Sequence, residues 1–474
     1  MKDTCKSLVV IFRTAILYCL LSFPAHAEPL PTDDGFHGIW YANQKTDDEY
    51  RYKYSGGMAT YPQQHAPIAI YCPQVEKTFF VYGGTMAREP DDKQELLHMV
   101  SYFDHKTKRL ARPRILLNKH TADAHDNPVL SVDADGYLWV FSPSHGVERP
   151  SFVHRSARPF DITEFEKIEE TNFSYPQPWY VPGKGFLFLH TRYGGRDLSV
   201  HAARTLAFMT SPDGRTWSEA KALAGIDQGD YQISWPVGDR VATAFDFHPK
   251  PLGLNGRANL YYLETDDLGI TWKTANGRKI DVPLTKPDNP ALVVDSVSEG
   301  KLLYLKDLNF DGKGRPVILF LTSRGFEPGP KNGPREWQIA RWTGVSWLIH
   351  PVTTSDNNYD HGSLYIEPSG QWRIIAPTEP GPQLGNPGGE MVGWISRDLG
   401  ATWTKDCQLT RESKLNHTYA RRPLNAHPDF WAIWADGDAF RESESRIYFA
   451  NRKGEVFRLP TLMQDSTALP ERVR

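Results

Sequence analysis

The sequence predicts an all-β protein folded as one seven-bladed propeller, and three observations carry that prediction. Aromatic residues make up 12% of the 474 residues, alongside 37 Gly and 36 Pro, a mixture that favours strands and tight turns over helical bundles. Beyond residue 27 short apolar runs such as Tyr137-Leu138-Trp139-Val140-Phe141 and Val317-Ile318-Leu319-Phe320 alternate with Gly, Pro, Asp and Asn, without long helical periodicity or a linker. Strand–turn–strand hairpins also recur, with starts near His65, His125, Tyr175, Tyr231, Tyr304, His361 and Tyr419, 50 to 73 residues apart. Each interval suits a four-stranded blade, and together they occupy residues 28–474.

The elements follow in order. Lys2, Lys6 and Arg13 precede the apolar stretch Ala15 to Phe23, then Pro24 and Ala25-His26-Ala27, which predicts a secretory signal peptide over residues 1–27. The apolar core is too short to span a bilayer, so the expected product is secreted or periplasmic, without a membrane anchor. Cys5 and Cys19 leave with the leader; Cys72 and Cys407 are expected as buried free thiols. With 54 Lys and Arg against 57 Asp and Glu, the formal charge of −3 excludes a strongly basic nucleic-acid binder. Three turns, Ser211 to Trp217, Thr265 to Trp272 and Ser396 to Trp403, resemble the Asp-box of sialidase-like repeats, where Asp and Gly close a β-turn and Trp packs between sheets.

The propeller register has a geometric consequence. Residues at the start of a blade's first strand and just past the end of its second meet at one mouth of the ring. That rule gathers His65 and Tyr82; His125 and His145; Tyr175, Gln177 and Tyr193; Tyr231 and His248; Lys306 and Arg324; His361 and Glu379; and Arg421, Arg422 and Asp436. Arg forks match carboxylates and sulfates, Tyr faces stack on sugars, and His or Tyr transfers protons. This composition suits an acidic glycan and β-elimination at a uronic acid, with Tyr231, His248, Gln177 and Arg324 as expected sugar contacts. The chemistry needs no cofactor. A structural Ca²⁺ or Zn²⁺ is compatible with Asp307, Asp311, Asp360 and His361, whose spacing is not diagnostic.

The segments Gly38 to Gln44, His125-Asp126-Asn127-Pro128, Leu305 to Asp311, Ile374 to Pro382 and Asn425 to Phe430 resemble the secreted BNR-repeat family that contains seven-bladed ulvan lyases. The resemblance implies cleavage of ulvan, a sulfated rhamnose–uronic acid polysaccharide, leaving an unsaturated uronic end; the chain is expected to act as a monomer. It also implies a working set of two histidines, matched by His125 and His145, with Tyr193, Arg204 and a further tyrosine matched by Tyr231. Two alternatives stand beside it. The broader family implies an α-L-rhamnosidase acting on rhamnosyl-glucuronate glycans with a single histidine on the opposite face, with Gln63-Gln64-His65 as the nearest stretch; the aromatic mouth would equally serve a non-catalytic glycan-binding propeller, which needs no His125–His145 pair.

Overall fold

A computed structural model describes residues 28–58, 64–88, 92–194, 198, 200 and 202–473; the expected leader lies outside them. Among the described residues strands dominate, helix is confined to short 3₁₀ turns such as Ala124–Asp126, and the strands pair antiparallel into seven sheets. Each expected hairpin start lies in or just before the first strand of one sheet's repeat unit, which in the nine-stranded sheet follows the N-terminal hairpin. These first strands are Ala69–Cys72, Val129–Val132, Ser174–Val181, Gln232–Val237, Leu302–Phe310, Ser363–Ile366 and Asn416–Arg421.

Four sheets are simple four-stranded meanders, exemplified by Ser174–Val181, Gly185–Tyr193, Arg204–Ser211 and Lys221–Ala224. The other three have nine, six and five strands, which corrects the expectation of uniform four-stranded units. The nine-stranded sheet is enlarged by an N-terminal hairpin, Gly38–Lys45 and Tyr52–Gly57, joined to it through the single pair Gly38↔Gly84. The same hairpin pairs with Ser443–Ser445 near the other end of the chain.

Successive sheets lock through side chains that leave one first strand and bond the next. Trp179 Nε1 donates to Ser234 Oγ at 2.7 Å, and Asn309 Nδ2 to Leu364 O at 2.8 Å. Ser363 Oγ donates to Ala420 O at 2.9 Å. The arrangement returns on itself: Leu424 and Ile70 form a parallel bridge, and Arg421 Nη2 donates to His65 O at 2.9 Å. The result is a propeller whose apolar clusters lie between neighbouring sheets, with Trp139, Trp179, Trp272, Trp337, Trp372 and Trp434 fully buried.

The Asp-box turns act as spacers. Gly214 N–H donates to Ser211 Oγ at 2.7 Å, Asp213 Oδ1 accepts from Arg215 and Thr216 N–H at 2.9 and 2.8 Å, and Trp217 Nε1 donates to Gly214 O at 2.9 Å. Thr265-Asp267-Gly269 and Ser396-Asp398-Gly400 repeat the pattern. Gly214 has φ +73°, and a Cβ there would lie 2.5 Å from the Trp139 ring of the preceding sheet. Gly214→Ala combines a left-handed backbone with this clash and is expected to cost about 2 kcal/mol, read as a lowered chemical-denaturation midpoint.

Of the two expected thiols, Cys72 is buried, its pKa pushed up to about 12 by burial, while Cys407 is only half-buried, which corrects the expectation of burial there. Burial also holds buried histidines neutral: His98 and His361 lie well below their ordinary range, and His154 is brought down to about 4. An unfolded chain takes up protons near pH 6.5 that these folded sites refuse, so stability falls as pH drops from about 6.5 towards 4. The gap at His154 alone is worth on the order of 3 kcal/mol at the acid end. Thermal melts across that window should show the decline, and His154→Gln should make it shallower.

Candidate active site

Two sequence elements place the central carboxylate. The 3₁₀ turn Ala124–Asp126 is capped by Asp123, whose Oδ1 accepts the His125 backbone N–H at 3.1 Å. The strand Leu138–Ser142 then returns the chain so that His145 arrives beside it. Asp123 Oδ1 lies 2.5 Å from His125 Nδ1 and Oδ2 lies 2.7 Å from His145 Nδ1, so one carboxylate orients both rings. The rings stack with centroids 4.2 Å apart and planes 20° from parallel.

Burial by itself would raise the pKa of Asp123, but the two histidines outweigh it and hold the carboxyl far below its usual range. Because an ionised carboxylate only accepts, each Nδ1 is a donor, so that a neutral ring carries its lone pair on Nε2. Burial lowers the His125 pKa, which favours that neutral ring. Asp126, fully buried, fixes the second loop: it accepts from His145 N–H at 2.6 Å and from Arg149 Nε and Nη2, both at 2.9 Å.

Aromatic rings surround the pair. Tyr41 and Tyr54 from the N-terminal hairpin meet His125 edge-on at 5.5 and 6.2 Å, and Tyr193 meets His145 edge-on at 5.7 Å. Tyr193 Oη is 3.2 Å from Tyr175 Oη, and Tyr175 packs on Tyr231 at 5.4 Å. Tyr175 adopts φ +50° where the register shifts between Ser174 and Gln177; this bulge turns its ring to the mouth. The same irregularity recurs at Lys306 and Tyr419.

The structure brings together His125, His145, Tyr193, Arg204 and Tyr231. Arg204 stands directly opposite Tyr193 in the antiparallel register, with its guanidinium 5.8 Å from the Tyr231 ring centre. Exposure divides the set. The His145 side chain is 33% exposed and Tyr193 is half-buried, whereas the His125 side chain is 1% exposed behind them.

Other expected contacts are corrected. Gln177 is completely buried, with Nε2 donating to Gln232 O at 3.0 Å and Oε1 accepting from Ser234 Oγ at 2.5 Å, so its amide bonds neighbouring strands rather than a sugar. His248 is completely buried against Tyr231. Arg324 is exposed beyond Pro316–Ser323, and among the described residues no ring contact or hydrogen bond ties it to the cluster. His65 lies at this mouth as the register places it, buried, with Nε2 2.8 Å from His125 O, and not on the opposite face that the rhamnosidase alternative requires; Gln63 lies outside the described residues. Among the described residues the expected cation ligands form no common cluster: Asp311 caps its own turn, Asp307 meets Arg422, Asp360 accepts from Asn357 and Gly388 N–H, and His361 meets Lys306.

Sequence reasoning missed Asp123 and Arg149. The Asp-x-His spacing was a visible signal for Asp123, while Arg149 is read only through its bond to Asp126. The geometry offers a base at His145 Nε2, a phenolic acid at Tyr193 and two nearby guanidiniums, the equipment for proton transfer beside an anion. In long-range ¹H–¹⁵N correlation spectra both rings should show the Nδ1–H tautomer; Asp123→Asn should disperse that state, because its amide presents a donor to one ring.

The architecture is that of a β-propeller, and the solved structures it resembles are of the same class. The chain belongs to the BNR repeat-containing family, whose model matches residues 85–374. It is 23% identical over 465 residues to an ulvan lyase of Nonlabens ulvanivorans, covering 88% of this chain and 92% of that protein. It is 22% identical over 387 residues to "Ulvan Lyase-PL25" of Pseudoalteromonas sp. (strain PLSV), covering 73% and 75%. Among solved structures, a PL25 ulvan lyase bound to -[GlcA(1-4)Rha3S]- superposes with a TM-score of 0.68 at 16% identity, covering 89% of this chain and 96% of that one.

Proposed function

We propose that the protein is an ulvan lyase: a polysaccharide lyase that cleaves a sulfated rhamnose–uronic acid polymer by β-elimination. The observation that carries this reading is the half-buried pair His145 and Tyr193, with His145 oriented by the half-buried Asp123 carboxylate and Arg204 opposite Tyr193 in the register. The near-full-length similarity to ulvan lyases supports it.

In this mechanism Arg204 neutralises the uronate carboxylate and so acidifies the C5 proton. His145 Nε2 takes that proton while Asp123 stabilises the resulting imidazolium through Nδ1. The C5–H electron pair forms the C4=C5 double bond, the C4–O4 bond breaks, and Tyr193 Oη protonates the departing oxygen. His125 lies behind the reacting pair and acts as a positioning residue, and Tyr231 supplies an aromatic wall. Residues 28–474 are taken as a seven-bladed ring, each sheet one blade, exported as a monomer after removal of residues 1–27.

Incubation with ulvan should produce the ultraviolet absorbance of a conjugated unsaturated uronate. Tyr193→Phe and His145→Ala should each lower kcat roughly 10²- to 10⁴-fold without loss of fold. Arg204→Lys should keep more activity than Arg204→Ala, because charge survives while the guanidinium fork does not. Release of free rhamnose without that absorbance would overturn elimination, and binding without products would leave a glycan-binding propeller.

A further inference from the structure

A second cluster of metal-ligand type lies where the first and last sheets meet, remote in sequence from the residues given roles in elimination. His105 follows the strand Leu97–Asp104 of the first sheet, whereas His427 and Asp429 follow Asn416–Arg421 of the last. One ligand atom from each lies within 4.8 Å of the others, and the two imidazole centroids are 3.9 Å apart.

His105 provides the independent sign of a ligand. It is 5% exposed, and its Nε2 is 2.8 Å from Thr78 Oγ1. Its Nδ1 is buried without a hydrogen-bond partner, while lying 4.0 Å from Asp429 Oδ2. A buried ring nitrogen left in this state loses hydration without compensation. A hydroxyl on the far nitrogen is the outer partner that fixes the tautomer of a metal-bound histidine, freeing the near lone pair.

The other two clusters of this type differ. In Asp123, His125 and His145 the ligand atoms already satisfy one another, and in Asp33, Asp34 and His37 both ring nitrogens already meet carboxylates and Arg88 pairs with both acids. We propose that His105, His427 and Asp429 bind a divalent transition-metal ion of the zinc type, which pins the last sheet to the first.

Two imidazoles and a carboxylate form a borderline donor set suited to Zn²⁺, with water completing a tetrahedron. Bonds of about 2.0–2.2 Å require the ligands to draw in from their present spacing. His427 and Asp429, both half-buried on a loop, are the ones able to move. Asp429 N–H donates to His427 Nδ1 at 3.1 Å, and this bond must yield if that nitrogen is the ligand. The ammonium of Lys108 pairs with Asp429 and takes the place a metal charge would occupy, so the two cations compete.

The test strips the purified protein with chelator, adds ZnSO₄, and measures retained zinc by elemental analysis, affinity by chelator competition, and melting temperature. One retained zinc per chain and a rise of several degrees are expected. His427→Ala, at a half-buried position, should weaken binding at least tenfold while the circular dichroism spectrum is unchanged. Lys108→Ala should tighten binding severalfold, which a purely structural lysine would not do. No retained zinc, binding that survives His427→Ala, or binding abolished by Asp123→Asn instead would overturn the proposal. None of these readouts depends on lyase activity.

Discussion

Closing the ring is the constraint on which the rest of the molecule depends. A sheet with two apolar faces is stable only if both are covered, and in a propeller each cover is the next sheet, so the last must meet the first. Here that contact uses backbone and long polar reach: Tyr419 Oη donates to Ser55 O at 2.8 Å, Leu424 N–H to Ala69 O at 2.8 Å, and Arg421 to His65 O. The fit is tight enough that Gly56 has no room for a side chain, since a Cβ would lie 1.9 Å from the Tyr419 ring. The N-terminal hairpin, held between first and last sheets, carries Tyr41 and Tyr54 over the histidine pair. Closure and site assembly are therefore one event.

Within the mouth, one half-buried carboxylate does the organising. Asp123 divides its two oxygens between two imidazoles in charge-assisted bonds, the one to buried His125 being the less screened by water. The consequence is a graded site. His125 is sealed behind aromatic rings, while His145 remains open beside Tyr193, so two residues of the same type sit in different environments.

Much of this was legible along the chain. The hairpin starts at His65, His125, Tyr175, Tyr231, Tyr304, His361 and Tyr419 each lead a sheet, because apolar runs bounded by turn residues report strands directly. His125 and His145 meet as the register requires, since a hairpin returns its chain to the face it left. Gln177, His248 and Arg324 show the limit of the same rule. Register says which end of a strand a residue occupies, but not whether its side chain faces the mouth or is consumed between sheets.

The sequence by itself determined the strand content, the repeat, the Asp-box turns and the pairing of two histidines, since these follow from residue type at short range. Only the tertiary structure decided that Asp123 bridges both rings, that Arg204 faces Tyr193, that Tyr175 reaches the mouth through a bulge, and that His105 meets His427 across more than three hundred residues. Such contacts depend on which faces are turned together when the ring closes, and periodicity along one strand carries no record of that.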